Sequence, residues 1–304
     1  MTRLLWNRRD IVRAGVAQGF ILQSLFAEPG PMLTRPIPSS GEQLPVVGLG
    51  TWRVFDVAGT DEELNVRRAI VDRLIERGGS VIDSSPMYSR SEKIIGDVVR
   101  SGGGRNKLFL ATKVWTNGKT AGESQMRRSI DLMNAGRIDL MQVHNLRDLA
   151  VQMGTIRDLQ QEKLIRYSGV TDYRASALDE IEDAMRTHKP QFIQINYSVA
   201  ERDADKRILP LARDLGIAVL INRPFVSGRL FREIDNVPIP GWATAFADSW
   251  GQFFLKYIIG NPAVNCVIPA TSKLHHMTDN LGAGYGELPD NATRQRMAAF
   301  VDSL

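Results

Sequence analysis

Short apolar runs punctuate the chain from residue 46 onward, and most of them lack polar alternation. They fall at 46–49, 80–83, 108–113, 138–143, 165–171, 192–196, 217–221 and 264–269, and are rich in Val, Ile and Leu. A strand with one wet face alternates apolar and polar residues; a strand buried on both faces does not. Between these runs, apolar positions recur three and four residues apart at 62–77, 125–133, 177–186, 204–215 and 245–259, which predicts helices. Glycine follows several of them, at Gly78, Gly136 and Gly216, where helices commonly end in the left-handed conformation. Eight strands alternating with helices predict an α/β fold of the (β/α)8, or TIM-barrel, type. Residues 33–38 and 43–45, around the turn at 39–42, predict a short β-hairpin before the first strand. A long loop at 223–242 follows strand seven and belongs over the C-terminal rim. A doubly wound sheet is the alternative, but no G-x-G-x-x-G follows the first strand.

In such barrels the reactive groups gather at the C-terminal ends of the strands. Strand two ends at Asp83, within VIDSSPMYSRSE, and Tyr88 lies in the loop beyond it. Ser89 and Glu92 form an S-x-x-E pattern that predicts a capping box for a helix bearing Ile94, Ile95, Val98 and Val99. Strand three ends at Lys113 and strand four at His144. Each has an ordinary explanation alone: a turn acid, a loop aromatic, a paired lysine, a core histidine. Three consecutive strands delivering ionisable groups to one rim favour a site. Neither H-E-x-x-H nor clustered His/Cys spacing is present, so no metal is expected, and there is no G-x-S-x-G elbow.

In this arrangement the chain resembles the aldo-keto reductases from about residue 34 to 280. The resemblance rests on GLGTW at 48–52, Asp83 and Tyr88 as D-x4-Y, TKVW at 112–115, and VHN at 143–145. It continues through GVTDY at 169–173, QINYS at 194–198 and IPATSK at 268–273. It implies reduction of a small aldehyde or ketone with a nicotinamide cofactor, NADP(H) in preference to NAD(H). Tyr88 would give the proton, Lys113 would make its phenol more acidic, Asp83 would keep Lys113 charged, and His144 would orient the carbonyl oxygen. The physical need is real, since a free tyrosine titrates near pH ~10 and a nearby ammonium favours phenolate. Trp52 and Trp115 would wall the substrate pocket.

By the same resemblance Thr171, Asp172 and Gln194 contact the nicotinamide carboxamide, with Asp172 standing where Asn is usual. Asn222, Arg223, Pro224 and Phe225 replace the common Tyr-Ser-Pro-Leu, so the tyrosine that stacks on nicotinamide is missing and Arg223 or Phe225 is left to pack there. Thr271, Ser272 and Lys273 would hold the adenosine 2′-phosphate, His276 replaces a frequent arginine, and Asn280 would contact adenine. Two other readings keep the barrel: a nucleotide-sensing or accessory binding protein with little turnover, and a non-redox lyase or epimerase using Lys113 as a Schiff-base nucleophile.

Composition changes the picture only at the amino terminus. Of 304 residues, 43% are hydrophobic and 24% charged, as in a globular protein with a large core. Arg3, Arg8, Arg9 and Arg13 against Asp10 supply +3 of the net +4, which leaves the remainder near neutral and gives nucleic-acid binding little support. The single cysteine, Cys266, excludes an intramolecular disulfide. Residues 7–13, NRRDIVR, precede an uncharged stretch at 14–27 that is too short to span a bilayer. This resembles a twin-arginine export signal, with Asn7, Ile11, Val12 and Arg13 off the usual pattern. The expected organisation is a signal segment at 1–27 and a barrel at 28–304, exported to the periplasm by the twin-arginine machinery. The alternative is a basic amphipathic helix on a cytoplasmic protein.

Overall fold

The computed structural model describes residues 30–102 and 104–304. The segment at 1–27, with its export reading, lies outside the described residues. A hairpin of β1 (Thr34–Pro36) and β2 (Gln43–Pro45) precedes eight parallel strands. These are β3 (Leu49–Gly50), β4 (Val81–Asp83), β5 (Phe109–Val114), β6 (Ile138–His144), β7 (Ile165–Asp172), β8 (Phe192–Asn196), β9 (Ala218–Asn222) and β10 (Cys266–Val267). They pair in sequence order, and bridges Val47–Val267 and Gly50–Ala270 join the first to the last. The predicted barrel is therefore nearly closed, which removes the exposed edges of an open sheet.

Strand parity sorts the core into two clusters. One parity sends Val81, Phe109, Ala111, Leu140, Tyr167, Phe192, Leu220 and Cys266 into the barrel interior. Ile37 and Leu44 of the hairpin join that cluster, so the hairpin plugs the N-terminal end. Phe109, Tyr167 and Phe192 stack across it with centroids 5.5–6.0 Å apart. The other parity packs Ile82, Leu110, Met141, Val170 and Ile193 against the surrounding helices.

The helices among the described residues are α1 (Asp61–Glu76), α2 (Ser91–Gly102), α3 (Lys119–Leu132), α4 (Leu149–Gln161), α5 (Leu178–His188), α6 (Ile208–Leu215), α7 (Arg229–Glu233), α8 (Trp250–Ile259), α9 (Leu274–Gly282) and α10 (Asn291–Asp302). Gly78, Gly136 and Gly216 have φ of 77°, 65° and 65°, as their placement after helices predicts. Helix α8 begins later than expected because the Ser249 side chain accepts from Gln252 N–H and caps it there. Helix α10 escapes the apolar pattern because it buries only Arg294 and Met297. Within the long loop after β9 lies the short helix α7. None of the described helices is long and apolar enough to cross a membrane.

The predicted capping box at Ser89 and Glu92 does not form. Ser89 has φ of 54°, and Glu92 turns inward, where its carboxyl accepts from the Thr112 hydroxyl at 2.5 Å. A capping box does form one helix earlier: Thr60 accepts from Glu63 N–H, and the Glu63 carboxylate accepts from Thr60 N–H. Both segments carry the sequence pattern; burial of Glu92 beside β5 decides against the second.

Candidate active site

Above the apolar plug, the inward positions of the strands become polar. Asp83 on β4, Lys113 on β5, Gln142 on β6 and Gln194 on β8 share the inward parity and are all buried. The Lys113 ammonium donates to Asp83 Oδ2 at 2.6 Å and to the Ser84 carbonyl at 2.7 Å. The other oxygen, Asp83 Oδ1, accepts from Gln194 Nε2 at 2.8 Å and from Gln142 Nε2 at 3.1 Å. Both oxygens of Asp83 are thus hydrogen-bonded. Burial alone would lower the Lys113 pKa, but the charge of Asp83 and the phenol of Tyr88 outweigh it, and the net direction is up.

Tyr88 lies in a short 3-10 turn, Pro86–Tyr88, whose N-terminal Ser85 caps it by accepting from Met87 N–H. Lys113 Nζ is 5.2 Å from the Tyr88 ring centroid, and the ring meets His144 edge-on at 6.1 Å. The expected acidification of Tyr88 is reversed in sign. Burial raises its pKa, Lys113 opposes this, and Asp83 adds to the rise, so the phenol is held above its ordinary value. The first cause is desolvation, which the Lys113 ammonium only partly offsets because Asp83 already matches its charge.

His144 is held by a hydrogen bond of 3.0 Å between its Nδ1 and the Ser85 hydroxyl. Burial, helped by the Lys113 charge, brings its pKa down to about 3, so the ring is neutral at ordinary pH. Trp52 and Trp115 stand on the loops after β3 and β5 and are 45% and 36% exposed.

The positions expected to hold a cofactor divide. Thr171 donates to Gln194 Oε1 at 3.3 Å, beneath the mouth. Asp172 has the opposite parity: the register that aligns Thr171 with Gln194 aligns Asp172 with Ile195, which packs on the helix side. Arg174 grips its carboxylate bidentately at 2.8 and 3.0 Å. Phe225 packs among Phe231 and Phe254, with centroids at 4.9 and 6.4 Å. Arg223, at φ of 50°, lies over the Tyr173 ring at 5.7 Å. Asn196 Oδ1, Asn222 Oδ1 and Arg223 Nε are buried without a hydrogen-bond partner among the described residues. Thr271 and Lys273 lead into α9, and His276 and Asn280 lie on it, with Asn280 buried.

Comparison with known proteins decides the family. The model of the aldo/keto reductase family matches residues 46–297, which is most of the chain. The chain belongs to this family. Among curated relatives, the aldo-keto reductase YhdN of Bacillus subtilis is 27% identical over 211 residues, which is 64% of this chain and 62% of that protein. The uncharacterized oxidoreductase YqkF of the same organism is 25% identical over 298 residues, covering 83% of this chain and 91% of that one. A crystal structure of an aldo-keto reductase from Klebsiella pneumoniae in complex with NADPH superposes with a TM-score of 0.76 at 23% identity, over 89% of this chain and 96% of that one.

For this family member, sequence reasoning missed Gln142 and Ser85, which hold Asp83 and His144, and the bond of Gln194 to Asp83. Gln142 lies two positions before His144, and the inward parity shared with Lys113 was the available signal. Ser85 could have been found from its place two residues after Asp83. The Gln194–Asp83 bond joins residues 111 apart and carried no local signal.

Proposed function

We propose that the protein reduces an aldehyde or ketone to the alcohol by hydride transfer from NADP(H), with Tyr88 as proton donor. One observation carries the reading: Asp83, Lys113 and His144, buried at three strand ends far apart in sequence, meet the half-buried Tyr88 in a single cluster. Family membership and the NADPH complex of the Klebsiella pneumoniae protein support it.

The residues present suit a dinucleotide. Orphaned polar atoms of Asn196, Asn222 and Arg223 at the ends of β8 and β9 offer it partners, and Thr271, Ser272 and Lys273 bring polar groups and a cation to the start of α9. When bound, NADPH supplies the hydride to the carbonyl carbon. Charge then gathers on the carbonyl oxygen, and this chain's own residues handle it. Neutral His144 orients that oxygen through its second ring nitrogen, and Tyr88 gives it a proton. An alkoxide is a far stronger base than a phenolate, so a phenol held above its usual pKa still transfers readily. Lys113 then stabilises the phenolate left behind. A Schiff-base role for Lys113 needs a neutral amine, whereas its contacts with Asp83 and the Ser84 carbonyl favour the ammonium.

NADPH oxidation over a panel of aldehydes tests the reading, with Tyr88→Phe expected to lower kcat by about 10²–10⁴-fold. Equal activity of the two proteins would refute it; tight NADPH binding with no turnover in either would favour the nucleotide-sensing reading. The sequence at 7–13 supports twin-arginine export to the periplasm. Changing Arg8→Lys and Arg9→Lys together should strand the protein in the cytoplasm, and unchanged fractionation would remove the export claim.

A further inference from the structure

The mouth of the barrel carries two exposed tryptophans, each covered by an arginine. Trp52 and Trp115 follow β3 and β5, the two strands that flank β4, and so stand on either side of the loop bearing Tyr88. The Arg53 guanidinium lies 4.3 Å from the Trp52 ring centroid, and that of Arg147 lies 4.5 Å from the Trp115 centroid.

Neither arginine is there by slack. Arg53 has φ of 64°, a left-handed conformation that a residue with a side chain seldom adopts. Arg147 leaves the strand of His144 in a turn closed by its own N–H on the His144 carbonyl, and its Nε donates to Asn117 Oδ1 at 2.9 Å. Among the described residues, the two terminal nitrogens of each guanidinium have no hydrogen-bond partner.

Their charge is also uncompensated. Among the described residues neither Arg53 nor Arg147 has a carboxylate within ion-pair distance, while their neighbours Arg90 and Arg174 are paired with Asp56 and Asp172. A guanidinium laid on an indole is partly desolvated, and its planar fork matches a carboxylate bidentately. The indoles meanwhile offer flat faces to a planar or apolar body.

We infer that Trp52–Arg53 and Trp115–Arg147 form a substrate-specificity site for a carbonyl compound that carries a carboxylate at the end remote from the reacting carbon. The inference rests on the carbonyl-reductase reading and deepens it by naming the substrate class.

The test compares 4-carboxybenzaldehyde with methyl 4-formylbenzoate, which differ at the remote group. The full chain with NADPH should favour the acid in kcat/KM by about tenfold, the factor expected for one charge-assisted contact. That preference should shrink as ionic strength rises. In Arg53→Gln and in Arg147→Gln the acid-to-ester ratio should fall toward one, mainly through KM for the acid, and Arg147→Lys should keep part of it.

A second readout needs no turnover. Indole NMR signals of Trp52 and Trp115 should shift with 4-carboxybenzyl alcohol more than with its methyl ester, and Arg→Gln variants should lose the difference. Equal reduction of both aldehydes would overturn the inference and leave the reductase reading standing. An anion-selective indole response with no reduction of either aldehyde would do the reverse. Absence of any anion selectivity in both measurements would refute the site.

Discussion

The Ser85 hydroxyl sits 3.0 Å from Nδ1 of His144, and both groups are buried. The Ser85 oxygen already accepts from Met87 N–H, and His144 Nδ1 is the one acceptor within reach of its proton among the described residues. Ser85 therefore donates to Nδ1, which leaves the proton of the neutral ring on Nε2. That tautomer is the one able to donate to a carbonyl oxygen. In Ser85→Ala, kcat/KM should fall by about tenfold, in keeping with the loss of an outer hydrogen bond that orients a histidine. Nitrogen NMR should report the Nε2–H tautomer in the parent protein and a mixture in the variant. An unchanged tautomer would remove Ser85 from the mechanism.

The Lys113–Asp83 pair is fully desolvated, so breaking it on one side leaves a buried charge alone. Asp83→Asn should cost about 3–5 kcal/mol in urea unfolding. The double variant Asp83→Asn, Lys113→Met should recover most of that stability yet remain inactive. Recovery of activity with stability would show that the pair is structural only.

His144 bears on pH in two ways. With its pKa brought from 6.5 down to about 3, it should contribute no limb near neutrality to the pH profile of kcat. The folded state resists protonating this ring while the unfolded chain does not, so the unfolded chain binds more protons between about 3 and 6.5. Stability is therefore complete above 6.5 and declines as pH falls toward 3. A His144→Gln variant should show a shallower decline, read as Tm against pH.

Glu92 has the opposite sign. Burial raises its pKa above 4.5, with the hydrogen bond from Thr112 opposing. Stability from this group is present below 4.5 and is lost as pH rises through the folded pKa. Glu92→Gln keeps an oxygen to accept from Thr112 and removes the ionisation. It should raise Tm at neutral pH by a few degrees, the size of about 1 kcal/mol in a domain of this length. A lower Tm at neutral pH would show that ionised Glu92 is stabilising.

Much of this protein was legible along the chain. Runs of Val, Ile and Leu without alternation mark strands covered on both sides, and Gly78, Gly136 and Gly216 mark helix ends, because backbone geometry sets both patterns within a few residues. The order of Asp83, Tyr88, Lys113 and His144 at successive strand ends followed from the same rhythm. Tertiary structure decided what lies across the barrel. It turned Glu92 inward to Thr112 and left the real capping box at Thr60 and Glu63. It gave Asp172 to Arg174, and joined Gln142 and Gln194 to Asp83. It also reversed the direction in which Tyr88 titrates, because desolvation depends on everything packed around a group and no sequence neighbour reports it. Local periodicity determines where a side chain sits on its own strand; only closure of the barrel determines which charge it meets there.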